Sequence, residues 1–172
     1  MKFEEIENII RIIQNGNSEN YYINNKGLSS LGAVIFYPKK AEESRSQKIK
    51  ELLKETFNEE EYKIILQSLR KYHFTSYYTG DEIINFQIDL LKKNGIVPKR
   101  ILEPSAGNGA YVQRLKKEFP EAKIVALEPD LLSYKILSLN NQKNKNVECI
   151  NSSFEEYYDE NYYEGYSQVF EL

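Results

Sequence analysis

A chain of 172 residues with 41% hydrophobic and 28% charged residues holds enough apolar material for one domain, or one domain with an appendage. It contains no run of about 18 apolar residues, which argues against a membrane span, and its N-terminus, MKFEEIENIIRIIQNGN, is acidic and lacks a small-residue cleavage site, so a cytoplasmic protein is expected. The lone Cys149 excludes an intrachain disulfide, and with a single histidine, His73, no metal site is expected. The net charge of −3 is unevenly spread: residues 1–80 carry 12 basic and 11 acidic side chains, residues 81–172 carry 11 and 15, and no Lys or Arg follows Lys145. A protein that holds DNA alone shows a basic stripe for the phosphates, and the C-terminal quarter has none.

Phe3, Ile6, Ile9, Ile10 and Ile13 recur at helical spacing, so residues 1–14 read as an amphipathic helix ended by Asn15-Gly16-Asn17. Tyr21-Tyr22-Ile23 and Ala33–Tyr37 have the composition of short strands around the turn signal Asn24-Asn25-Lys26-Gly27. Helices are expected over about 41–57, 59–71 and 81–94. Asn58 before three glutamates reads as an N-cap with an acidic first turn; Asp81 is a candidate cap for the third helix and Gly95 its terminator.

From residue 100 the pattern changes. Ile101-Leu102, Lys123–Leu127 and Val147–Ile150 are short apolar runs of buried-strand type. Between them Ala110–Phe119 and Leu131–Leu139 read as helices; Phe154–Tyr158 begins another, and Tyr166–Leu172 has the composition of a fourth strand. Alternating strand and helix predicts an α/β fold with a parallel sheet and crossovers. The chain therefore divides into a helical N-terminal region, 1–78, and an α/β region, 79–172.

The chemistry-bearing motif is Glu103-Pro104-Ser105-Ala106-Gly107-Asn108-Gly109, between a strand and a helix. Two glycines let the backbone turn sharply and a ligand approach closely, and the following helix offers unpaired N–H groups. In a dinucleotide enzyme these would hold a pyrophosphate, but the third glycine of the G-x-G-x-x-G pattern is Val112 here. Glu103 at the strand end favours a cationic ligand instead, and S-adenosylmethionine (SAM), with a sulfonium and an ammonium, is one. Glu128-Pro129-Asp130 ends the second strand, 25 residues beyond Glu103 and close to the roughly 20-residue spacing of a ribose-binding acid. A carboxylate can accept from two hydroxyls, and Asp130 reads as the cap of the next helix.

This loop resembles the SAM-binding loop of class I methyltransferases, in the wording of the adenine-specific DNA methyltransferases. The resemblance implies a Rossmann-like methyltransferase sheet, incomplete here at about four parallel strands in the order 3-2-1-4. It implies that Glu103 lies near the methionine amino group, that the loop residues Ser105, Ala106, Gly107, Asn108 and Gly109 line the methionine moiety, and that Glu128 holds the ribose. The family has Asp-Phe after the third strand, at the cofactor's adenine; this sequence has Ser153-Phe154, so an expected acid is missing. Thr75-Ser76-Tyr77-Tyr78-Thr79 resembles the Tyr-Thr segment that folds over the methionine end, which matches Tyr78 and Thr79 to that role.

The family clamps its flipped target base with an Asn/Asp-Pro-Pro-Tyr/Phe segment after the fourth strand. No proline follows Pro129, so no catalytic residue is assigned. Three readings stay open: a fragment, half of a split enzyme, or a SAM fold without chemistry. DNA is expected as a partner only if further sequence or a second chain completes the enzyme. The fourth strand would be an edge, so a homodimer or another partner there, coverage by the N-terminal helices, or disorder of the tail is expected. Five tyrosines among six acids in 154–172 would suit a basic partner or a solvated loop. An alternative to the methyltransferase of a restriction-modification system is a non-catalytic regulatory protein on the same fold.

Overall fold

The structure, a computed structural model, describes residues 35–40, 43–74 and 79–162. The expected helix over 1–14, the run Tyr21-Tyr22-Ile23, Tyr78 and the fourth strand lie outside the described residues. Ile35 and Phe36 are helical, so the strand expected over Ala33–Tyr37 does not form there. Nine elements follow in chain order: α1 (Glu43–Thr56), α2 (Glu59–Phe74), α3 (Asp81–Lys93), β1 (Arg100–Glu103), α4 (Ala110–Glu118), β2 (Lys123–Leu127), α5 (Leu131–Asn141), β3 (Val147–Ile150) and α6 (Phe154–Tyr162).

The fold is α/β. The three strands form one parallel sheet in the order β1-β2-β3, with Ile101 beside Ile124 and Glu103 beside Ala126, and Ile124 beside Val147 and Ala126 beside Cys149. Side chains in a strand alternate between faces, so Ile101, Ile124 and Val147, with Ala126 and Cys149, share one face. Ile84 and Ile88 of α3, Val112 and Leu115 of α4, and Leu137 of α5 pack against that face. Parallel strands are joined by crossovers that must lie on a face of the sheet, and α4 and α5 serve as two of them.

A second cluster joins the N-terminal helices to α5. Ile49 and Leu53 of α1, Phe57, and Ile65 and Leu69 of α2 close around Leu132 and Ile136 of α5. Helix α5 thus buries apolar side chains on two sides, Leu137 toward the sheet and Leu132 and Ile136 toward α1 and α2. A helix apolar on most of its circumference is one that neighbours cover on most sides. Lys135 of α5 adds an ion pair to Glu61 of α2 at 2.9 Å, which holds the Glu61 carboxyl below its usual range. Both groups are partly exposed, so this link is worth little beside the apolar contacts.

The helix ends follow their local chemistry. The Asn58 side chain accepts from the Glu61 N–H at 2.9 Å, and the Asp130 carboxylate accepts from the Ser133 N–H at 2.9 Å, both as N-caps do. Asp81 is not a cap: Gly80 occupies that position in extended conformation and Asp81 is the first helical residue, where an acid still favours the helix dipole. At the other end Gly95 takes φ 71°, and the Gly95 and Ile96 N–H groups donate to the carbonyls of Lys92 and Leu91. This 5→2 and 6→1 pair is a Schellman motif, which needs the left-handed residue that glycine supplies.

Leu132 is fully buried where α5 meets α1 and α2, so Leu132→Ala is expected to lower stability by about 2–5 kcal/mol. Urea unfolding followed by circular dichroism measures this.

Candidate functional site

The loop after β1 is shaped by three backbone contacts. The Ala106 N–H donates to the Leu127 carbonyl at 2.9 Å, and the Gly109 N–H to the Ala106 carbonyl at 2.9 Å. The Gly107 N–H donates to Glu128 Oε2 at 2.7 Å. The loop therefore folds down onto the C-terminal end of β2. Gly107 and Gly109 take φ 56° and 97°, a left-handed region that costs other residues roughly 1–2 kcal/mol. At Gly109 space is short as well, since a Cβ there would sit 2.8 Å from Leu137 Cδ1. Gly109 then caps α4.

Glu128 is the pivot. Its Oε2 receives the Gly107 N–H, and its Oε1 receives the Asp130 N–H at 2.8 Å. The residue is 7% exposed. The Asn151 amide donates to the Glu128 and Pro129 carbonyls at 2.8 and 3.2 Å, which ties the end of β3 to the end of β2. Sequence reasoning passed over Asn151; its signal was a lone amide directly after an apolar strand.

Glu103, at the end of β1, is placed differently. Among the described residues its carboxylate has one backbone hydrogen bond, from the Ser105 N–H, long at 3.3 Å. Burial pushes its carboxyl above the usual range, against the smaller opposing effect of that bond. Two carboxylates thus stand at the C-terminal ends of adjacent strands, one held by two backbone donors and the other weakly held.

The remaining expected site residues separate. Ala106 lines the loop and is buried, and Asn108 is 1% exposed, with its carbonyl accepting from the Asn140 amide at 3.3 Å. Ser105 and Thr79 are exposed. Ser153 caps α6: its Oγ accepts from the Glu156 N–H at 3.2 Å while its own N–H donates to Glu156 Oε2 at 2.9 Å. This is a reciprocal capping box. Phe154 is 40% exposed and lies 6.2 Å, centroid to centroid, from the Tyr158 ring; it is not a core residue.

Comparison with known proteins gives no match: no family model fits the sequence, and no characterised protein or solved structure is significantly similar to it. Among the described residues no helix is long and apolar enough to cross a membrane, and no three acidic, Cys or His residues could share a metal ion. An open depression of about 400 Å³ lies between α3 and α4, lined by Asp81, Ile84, Asn85, Ala110, Gln113 and Arg114. Neither Glu103 nor Glu128 reaches it.

Two tests follow from these environments. A carboxyl whose folded-state pKa is raised binds protons more readily in the folded protein, so it costs stability once pH passes the unfolded value. Glu103→Gln is therefore expected to raise the melting temperature at pH 7 and to leave it unchanged near pH 3, where both side chains are neutral; thermal melts across pH check this. The Cys149 thiol is pushed up to about 11 by burial, so its alkylation by iodoacetamide at pH 8 is expected to be far slower than in the urea-unfolded chain. Mass spectrometry over time reads the rates.

Proposed function

We propose that this chain is the cofactor-binding part of a SAM-dependent methyltransferase, of the DNA adenine-N6 type once a base-binding segment completes it. The observation that carries this reading is Glu103: a half-buried carboxylate with one long hydrogen bond among the described residues, at the C-terminal end of β1, beside a loop held in left-handed turns. In open parallel α/β sheets ligands bind outside the C-terminal ends of the strands. A buried carboxylate is costly until a cation pairs with it, and the ammonium of SAM is such a cation. The cofactor supplies an activated methyl group; this chain's own residues bind and orient it.

On this reading Glu103 pairs with the ammonium, and the backbone of Ala106 to Gly109 lies along the methionine chain, with no Cβ at Gly107 to hold it off. Glu128 holds the loop and is the acid the resemblance matches to the ribose. Ser153 is committed to the α6 cap, so Phe154, half-exposed beside it, is the candidate surface for the adenine ring. By the resemblance Tyr78 and Thr79 are the residues matched to the methionine end. The base clamp is absent from these 172 residues, and methylation of DNA by this chain alone is not expected.

One observation favours a second reading, an interaction protein on the same fold. Both Glu128 oxygens already accept backbone N–H groups, which is a complete structural role without a ligand. Titration calorimetry with SAM and with its demethylated product separates the two. Binding is expected for the parent chain, weakened by about tenfold or more in Glu103→Gln, since a charge-assisted contact is worth roughly 1.5–3 kcal/mol. Affinity is also expected to fall with decreasing pH earlier than for an ordinary carboxylate, because Glu103 must be ionised to pair. No binding by a folded parent chain would favour the interaction protein.

A further inference from the structure

Helix α3 is apolar on two sides. Ile84 and Ile88 are buried against the sheet cluster. On the opposite side Ile83, Phe86 and Leu90 are 55%, 67% and 49% exposed. Their spacing of three and four residues aligns them in one stripe along the helix. Just past the helix end Ile96 and Val97 add 47% and 81% exposed apolar residues. Single exposed apolar side chains are ordinary, but a contiguous stripe marks an interaction surface.

The charges beside the stripe indicate what covers it. Glu82 precedes Ile83 at the N-terminal end, and Lys93 follows Leu90 by three residues at the C-terminal end; both are exposed. By helical geometry the two lie on the same flank of the stripe. Lys92, on the other side of the helix, is already paired with Glu118 of α4, and Gln87 is hydrogen-bonded to the Tyr111 hydroxyl of α4.

We propose that this face is the contact of a symmetric homodimer, in which α3 of one copy packs antiparallel on α3 of a second copy. A twofold axis near Phe86 sets Ile83 against Leu90 of the second copy, and Leu90 against Ile83. The two Phe86 rings meet at the centre. Glu82 then lies beside Lys93 of the second copy, and symmetry repeats that pair at the other end. A parallel arrangement would carry Glu82 and Lys93 of the two copies to opposite flanks, where no such pair forms, so the charge pattern selects the antiparallel one. The helix dipoles also favour it. Asp89, one turn before Lys93 on the same flank, shares that lysine with the incoming Glu82, which makes the contact sensitive to salt. A single helix face buries little area, so the dimer belongs to the weak, concentration-dependent class. This contact is independent of what the glycine loop binds.

Sedimentation velocity of the full 172-residue chain, from micromolar to submillimolar concentration, tests the proposal. A monomer–dimer equilibrium is expected, weakened by about tenfold or more in Phe86→Glu, because truncating or charging a central aromatic anchor costs most. Glu82→Lys and Lys93→Glu are each expected to weaken it, and the double variant to recover the parent constant. All three positions are solvent-exposed, so circular dichroism should show each variant folded. Should Phe86→Glu misfold, the charge series still decides. A chain monomeric at every concentration overturns the proposal, as does a dimer indifferent to Phe86→Glu or a double charge reversal that recovers nothing.

Discussion

The end of the sheet is organised around one carboxylate. Glu128 draws the Gly107 N–H with one oxygen and the Asp130 N–H with the other. The first bond spans 21 residues and pins the β1 loop to β2; the second turns the chain out of β2 into α5. Charge-assisted bonds of this kind are about twice as strong as neutral ones. Their geometry matters more than their energy here. The loop can reach Glu128 only by passing through left-handed backbone at Gly107, and it can enter α4 only by doing so again at Gly109. Two glycines and one acid, far apart in sequence, are therefore one structural unit.

That unit also couples the two clusters of the core. Gly109 is close-packed on Leu137 of α5, and α5 carries Leu132 and Ile136 into the cluster formed with α1 and α2. A change at the loop is thus felt at a helix that the N-terminal helices brace from behind. The position of the loop depends on packing that lies on the far side of α5, which gives the helical region a supporting role for the sheet whatever the loop binds.

Much of this was legible in the sequence, for identifiable reasons. Lys123–Leu127 and Val147–Ile150 form strands over those residues because apolar runs this short, bounded by polar turns, have no room to be helices. The Asn58 and Asp130 caps were legible because the cap bond is local, three residues long. Ser153 shows a local rule outweighed by an analogy: Ser153-Phe154-Glu155-Glu156 is a plain capping-box pattern, yet comparison with a family that has Asp-Phe there directed attention to the cofactor's adenine. Asp81 failed as a cap because Gly80, directly before it, adopts the extended backbone a cap needs. The Glu128 tie was not legible at all. Sequence places an acid at a strand end, but whether it faces a loop or solvent depends on the path of a loop 21 residues upstream.

The contrast between the two acids bears most directly on function. Glu128 is buried and well supplied with donors, as an acid kept for the fold should be. Glu103 sits one strand away, in surroundings that penalise its charge, and among the described residues the long Ser105 contact is what offsets the penalty. A glutamine there would keep the shape without that cost. Polar groups that weaken a fold are concentrated where binding needs them. Under the proposed function, a cation at the end of β1 would turn the unfavourable desolvation of Glu103 into binding energy. The same burial that raises its pKa strengthens the attraction once the charges are paired, because low-dielectric surroundings act on both.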